Sequence, residues 1–270
     1  LPNETVWLMA RFIAGAAVAG IFVIVESWLM AGEEKSRAKR LSIYMIALYG
    51  GSALGQFGIG LLGVEGSSPF IAVTLLIAGA ILALLLVDSD QPNAESSMVL
   101  SVKQMLKLNH AAIIGCVVSG LTLGAIYGLM PLELNQRDIS HDQIGMLMAL
   151  VILGGMAVQP LVTVTSRWLG RTLLMAFYCL MGVFAIGLTF VSTSHLILAV
   201  ALFVLGMATS ALYPIAISLG CETLDQQYIV SAAQVMLLSY SIGSVFGPVA
   251  SGTFMHKQHG LLGYLFVALV

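Results

Sequence analysis

Long uninterrupted apolar runs constrain this chain more than any other feature. Eight of them, at 6–30, 41–64, 70–87, 111–130, 144–165, 173–191, 196–220 and 229–255, are bounded by polar residues, Gly or Pro, and a ninth begins near Leu261. A bilayer core of about 30 Å takes about 20 residues of helix. The runs meet or approach that length, lack the period-two alternation of a barrel strand, and are far longer than one, so they predict membrane-spanning helices. Composition agrees: 59% of residues are hydrophobic and only 9% charged, too few to clothe a water-soluble body of this size. A net charge of −2 with 11 Lys and Arg offers no footprint for a nucleic acid. Cys116, Cys179 and Cys221 are scattered in apolar runs and read as core residues, with neither disulfide nor metal spacing. The ends at Leu1 and Val270 both look cut, which reads as a piece of a longer protein.

The few basic residues are sorted. Lys35, Arg37, Lys39 and Arg40 lie in the first loop, Lys103 and Lys107 in the third, and Arg167 and Arg171 in the fifth, whereas the alternate loops hold only Arg137 and Lys257. The basic loops are therefore expected in the cytoplasm. The segment 88–110 is the longest connection, with an acidic, Pro-containing start and an amphipathic stretch from Val99 to Leu108. It reads as a cytoplasmic linker whose short helix lies on the membrane surface. An ordinary solvated loop is the alternative.

The two sides of this linker repeat one another. Phe12, Gly15 and Phe22 superpose on Phe203, Gly206 and Tyr213 at an offset of 191, and Gly51-Ser-Ala-Leu-Gly55 on Gly243-Ser-Val-Phe-Gly247 at 192. The first span thus pairs with the seventh and the second with the eighth, in equal orientation. Parallel repeats of six helices are a two-bundle transporter architecture. The chain then holds helices four to twelve of a twelve-helix parent: 1–87 the remainder of the N-terminal bundle, 88–110 the linker, and 111–270 the C-terminal bundle with its last helix truncated.

Polar residues inside spans are the candidate machinery, because lipid penalises them unless they face a cavity or a partner. Arg11 sits on a helix face of small residues that includes Gly15 and Gly20. It could bind an anionic group or tune a carboxylate during proton coupling, or it could snorkel to the outer interface. Glu26, near the inner end of the same span, could exchange protons, or pair with Arg37 or Arg40 as an inner latch. Gln56, Tyr127, Gln159, Tyr213, Gln234 and Tyr240 are uncharged polar groups at or near mid-span, suited to orient a solute in an apolar cavity or to bond between helices. Pro160, Pro214 and Pro248 lie among them, where kinks line cavities. Glycines spaced by four form ridges at Gly51 and Gly55, at Gly120, Gly124 and Gly128, and at Gly243 and Gly247. These permit close crossing, and Gly55, Gly247 and Pro248 are candidate hinges. The five histidines fall in loops or at span ends without metal spacing, and no catalytic or phosphate-loop pattern is present.

These residues resemble the major facilitator superfamily along essentially the whole chain. Arg11-Phe-Ile-Ala-Gly15 is similar to that family's helix-four signature, whose Arg is associated with proton transfer. Gly243-Ser-Val-Phe-Gly247-Pro248 is similar to the Gly-Pro signature of helix five in antiporters, displaced to helix eleven. Val25-Glu-Ser-Trp28, Tyr127-Gly-Leu-Met-Pro-Leu132, Leu212-Tyr-Pro214 and Leu238-Ser-Tyr240 resemble the bacterial inner-membrane YcaD-like branch of uncharacterised transporters. The resemblance implies an all-α fold of two six-helix bundles and alternating access in a bacterial inner membrane. It also implies a cavity lined by helices four, five, seven, eight, ten and eleven, completed by helices one and two of the parent.

Two departures stand out. Gln56 replaces the Pro after Gly55, which weakens an antiport reading, and Ser166-Arg-Trp-Leu-Gly-Arg171 lacks the acid expected before its Gly-Arg pair, so the charge latch there is altered or lost. The expected protein is a monomeric, proton-coupled secondary transporter of a small organic solute, an exporter on the antiport side of the likeness, with no cofactor and no enzymatic activity. The alternatives are a facilitative uniporter and a transporter-like sensor or assembly subunit.

Overall fold

The computed structural model describes residues 4–30, 43, 44, 46–55, 58, 66–86, 100, 104, 108–166, 168–191, 194–222, 224–256 and 259–270. Among these, the chain is helical throughout: α1 (Glu4–Met30), α2 (Ile46–Gly55), α3 (Ser68–Leu86), α4 (His110–Asn135), α5 (His141–Thr165), α6 (Arg171–Val191), α7 (His195–Gly220), α8 (Gln226–Gly252) and α9 (Gly260–Leu269). Seven of the nine described helices are long and apolar enough to cross a membrane. The protein is a multi-pass membrane protein.

Most helix limits fall within a few residues of the apolar runs that predict them. The main difference is at the end of α4, where the apolar run stops at Met130 but the helix continues through Pro131 to Asn135. Proline removes one amide from the ladder, which neighbouring helices in a bundle tolerate. The start of α4 is set by Asn109, whose side chain accepts hydrogen bonds from the Ala111 and Ala112 amides at 3.0 and 3.4 Å, occupying amides that a first turn leaves free.

The C-terminal helices pack as two interlocked pairs with α6 and α9 against them: α4 lies along α8, α5 along α7, and α7 joins the pairs through α4. Lipid provides no hydrophobic drive between helices, so close backbone approach must supply the contact. Glycine makes it possible. A Cβ on Gly120 would meet the Tyr240 carbonyl, and one on Gly124 the Ser244 carbonyl; in return, Cβ atoms on Gly243 and Gly247 would meet the Val117 and Leu121 carbonyls. Gly128 faces the Pro248 ring at 3.2 Å. The predicted ridges of α4 and α8 are thus the two sides of one seam. A second seam, which sequence spacing does not announce, sets Gly154 against the Phe203 carbonyl and Gly206 against the Val151 carbonyl, between α5 and α7.

Gly51 and Gly55, by contrast, face open space, as does Gly15, and α1 and α3 bury no described side chain. The counterparts of these glycines in the sequence repeat are packed instead, Gly243 and Gly247 on α4 and Gly206 on α5.

The amphipathic stretch before α4 departs from expectation at both its described ends. Leu100 and Leu108, each 3% exposed, are buried with Ala112, Cys116, Ala216, Leu219, Ala232 and Met236. The Leu100 amide donates to Ser231 Oγ at 3.0 Å. The bundle, and not the lipid surface, holds these two leucines, because α4, α7 and α8 leave an apolar notch at their shared end. Met105, Leu106, Lys103 and Lys107 lie outside the described residues. Replacing Ser231 with Ala leaves a buried amide unpaired, at about 1–3 kcal/mol. Hydrogen exchange at Leu100 should then accelerate at least fivefold while α4 exchange is unchanged.

Candidate functional site

Four tyrosines from four helices, α2, α4, α7 and α8, converge. The rings of Tyr213 on α7 and Tyr240 on α8 lie 4.9 Å apart at 54°. Tyr49, on α2, and Tyr240 both flank Tyr127 on α4 closely enough for their phenols to interact. Tyr49 also faces Ser210 of α7, and both approach the bare backbone of Gly155 on α5, with Ser210 Oγ 2.6 Å and Tyr49 Cε1 3.5 Å from where a Cβ would stand. Gly155 therefore opens the space in which residues of α2, α5 and α7 meet. Its carbonyl accepts from Gln159 Nε2 at 3.0 Å, so Gln159 lies one turn along the same helix with its amide turned back onto the wall.

The sequence candidates separate into groups. Tyr127, Tyr213 and Tyr240 come together, with Gln159 beside them. Gln234 is exposed on α8, six residues from Tyr240, about 9 Å along the axis. Arg11 is exposed on α1 with its guanidinium 4.9 Å above the Trp7 ring, one turn earlier. This stacking is the arrangement of an interfacial anchor. Gly247 and Pro248 belong to the α4–α8 seam and Gly55 faces open space. Gln56, Arg37 and Arg40 lie outside the described residues, as does the side chain of Glu26, whose backbone is in α1.

Sequence reasoning missed Tyr49 and Ser210. Each is one of several polar residues in its apolar run, with Ser52 one turn from Tyr49 and Tyr213 one turn from Ser210, so spacing alone does not set it apart. Among the described residues, no group of three His, Cys, Asp or Glu is placed to hold a metal. What the arrangement offers chemically is π surface and hydroxyls. Such a surface suits an uncharged or delocalised organic solute better than a compact ion.

Charged contacts occur at the helix ends. Arg171, opening α6, pairs with Glu222, just past α7, at 2.5 Å. The acid absent within 166–171 is thus supplied to Arg171 by the other loop at the same end. Leu100 bonds Ser231 at that end too, while Glu133, Arg137 and His259 meet at the opposite one. The connections thus alternate between two faces in the order that the basic loops anticipate.

Comparison with known proteins agrees with this architecture. Residues 1–248 match the Major Facilitator Superfamily. An uncharacterised MFS-type transporter, YcaD, of Escherichia fergusonii is 38% identical over 270 residues, covering 97% of this chain and 68% of that protein. A similarly described transporter of Enterobacter sp. (strain 638) and YcaD of Escherichia coli O7:K1 are each 36% identical over 271 residues, covering 98% of this chain and 69% of theirs. Helices without sheet among the described residues, glycine seams, and identity at this level over nearly the whole chain lead to one conclusion: the chain belongs to the major facilitator superfamily of secondary transporters, in its YcaD-like branch.

Proposed function

We propose that the protein moves a small organic solute across the bacterial inner membrane by alternating access, with the linker on the cytoplasmic side and the tyrosine cluster as the solute site. One observation carries this reading: Tyr49 from the first half and Tyr127, Tyr213 and Tyr240 from the second face one another across the plane on which the two halves would rock. A solute held there touches both halves, so its binding energy can bias one arrangement against the other. Glu26 with Arg40 is the proposed inner latch, supported by the four cations of the loop at 35–40.

Proton coupling through Arg11 and an outward direction complete the proposal. The test is flux in proteoliposomes holding the full-length protein, with a panel of aromatic and aliphatic solutes and an imposed pH gradient. Gradient-driven flux is expected for native protein and its loss in Arg11→Ala at equal expression. Flux that ignores the gradient in the native protein makes it a uniporter. Unchanged flux in Arg11→Ala removes Arg11 from the coupling step and leaves it as the anchor that its stacking on Trp7 suggests.

A further inference from the structure

Opposite the linker, the end of α4 carries a buried carboxylate, Glu133, that is 2% exposed and unused by any step above. Arg137, one turn later, donates Nη2–H to Glu133 Oε1 at 3.2 Å. The same nitrogen lies 2.6 Å from His259 Nδ1, and His259 Nδ1 is 3.5 Å from Glu133 Oε1. The other carboxylate oxygen accepts the Leu261 amide at 3.4 Å. His259 takes a left-handed backbone, φ 59°, as the residue before α9, and its ring stands edge-on to Phe190 at 5.3 Å. The bend is completed by Gly260, where a Cβ would strike the Phe254 carbonyl. The three side chains therefore clasp the end of α4 to the turn between α8 and α9.

Guanidinium has no acceptor, so a 2.6 Å approach to Nδ1 requires the imidazole nitrogen to accept. That holds only while His259 is neutral at Nδ1. Adding a proton there converts an acceptor into a donor and sets a second cation against Arg137. Glu133 Oε1 is then the nearest acceptor for the new N–H, and Arg137 loses one of its two partners. Among the described residues, the charged and titratable groups facing His259 are Glu133 and Arg137, both from α4; α6 presents the uncharged Phe190 ring, and α9 presents the Leu261 amide to the shared carboxylate.

We propose that Glu133, Arg137 and His259 form a proton-binding clasp at the face opposite the linker, in which one proton on His259 turns its ring from Arg137 to Glu133 Oε1 and re-seats the α8–α9 turn against the end of α4. Charge sorting puts this face outside the cytoplasm, where the clasp would read external acidity. The inference concerns a site separate from the tyrosine cluster and stands or falls without a known solute.

The test is the distance between spin labels on cysteines placed at Gln136 and Thr253, both exposed, in full-length protein with Cys116, Cys179 and Cys221 replaced by Ala. The distance distribution should shift between pH 8 and pH 5. His259→Asn should hold the pH 8 distribution throughout, because Asn tolerates the left-handed backbone and keeps an acceptor for Arg137 without titrating. Glu133→Gln, which removes the anion that compensates the imidazolium, should move the transition to lower pH. An unshifted native distribution overturns the clasp, as does a shift that persists in His259→Asn or a midpoint that ignores Glu133→Gln. Should His259→Asn fail to fold, the native and Glu133→Gln measurements decide alone.

Discussion

Gly120→Ala should lower the melting temperature of the detergent-solubilised protein by roughly 4–8 °C, while Gly187→Ala should raise it or leave it unchanged. The two substitutions are chemically identical and both lie in helix interiors. In an exposed helix, replacing Gly by Ala gains about 1 kcal/mol from backbone entropy. Gly187 is exposed with nothing near its missing Cβ, so it should show that gain. At Gly120 the added carbon collides with the Tyr240 carbonyl and crowds the Ser244 amide at 2.7 Å. These are backbone atoms that cannot turn aside as a side chain would. Parting α4 from α8 to admit it forfeits contacts along the seam, at about 2 kcal/mol or more, and a chain of this length shifts about 2–4 °C per kcal/mol. Gly124→Ala and Gly247→Ala should follow Gly120. Equal melting temperatures for Gly120→Ala and Gly187→Ala would mean that the seam is not a close-packed joint.

The second large effect is expected at Tyr240. Its ring leans on Tyr213 and neighbours Tyr49 and Tyr127, so truncation to Ala removes both a wall of the proposed site and the support of another. Loss of a central aromatic anchor costs about 2 kcal/mol or more in binding, which is roughly a thirtyfold rise in the solute concentration for half-maximal flux. Tyr240→Phe keeps the ring and removes one hydroxyl, worth about 0.5–1.5 kcal/mol, so its rise should stay nearer tenfold or below. Equal half-maximal concentrations in native protein and Tyr240→Ala would place the solute elsewhere.

Much of this organisation is legible from residues alone, for physical reasons that can be named. Spans are legible because lipid demands about 20 apolar residues at a stretch, and α5, α6 and α7 accordingly start and end within three residues of their apolar runs. The glycine ridges of α4 and α8 are legible because a spacing of four repeats on one helix face. The α5–α7 seam is hidden because its glycines, adjacent Gly154 and Gly155 on α5 and Gly206 on α7, do not recur at a helical spacing. Of the site, Tyr127, Tyr213 and Tyr240 stand out as polar groups within apolar runs. Tyr49 does too, but only the packing of α2 against α5 and α7 joins it to the others. The clasp left a fainter trace: Glu133 and Arg137 are an i, i+4 acid–base pair, yet the partner that gives them meaning, His259, is more than 120 residues away. Arg11 carries both of its sequence readings forward. A charge in an apolar run reads as function, whereas stacking on Trp7 gives it a local use.

The central claim is that solute crosses where Tyr49 of one half faces Ser210 of the other, and that this junction must open. A cysteine pair, Tyr49→Cys with Ser210→Cys, in full-length protein whose native cysteines are replaced, tests it most directly. Oxidative cross-linking should stop solute flux in proteoliposomes, and reduction should restore it, with either single cysteine unaffected by the same treatment. Undiminished flux with the cross-link in place would contradict the account, because the two halves would then carry solute without parting at the tyrosine cluster.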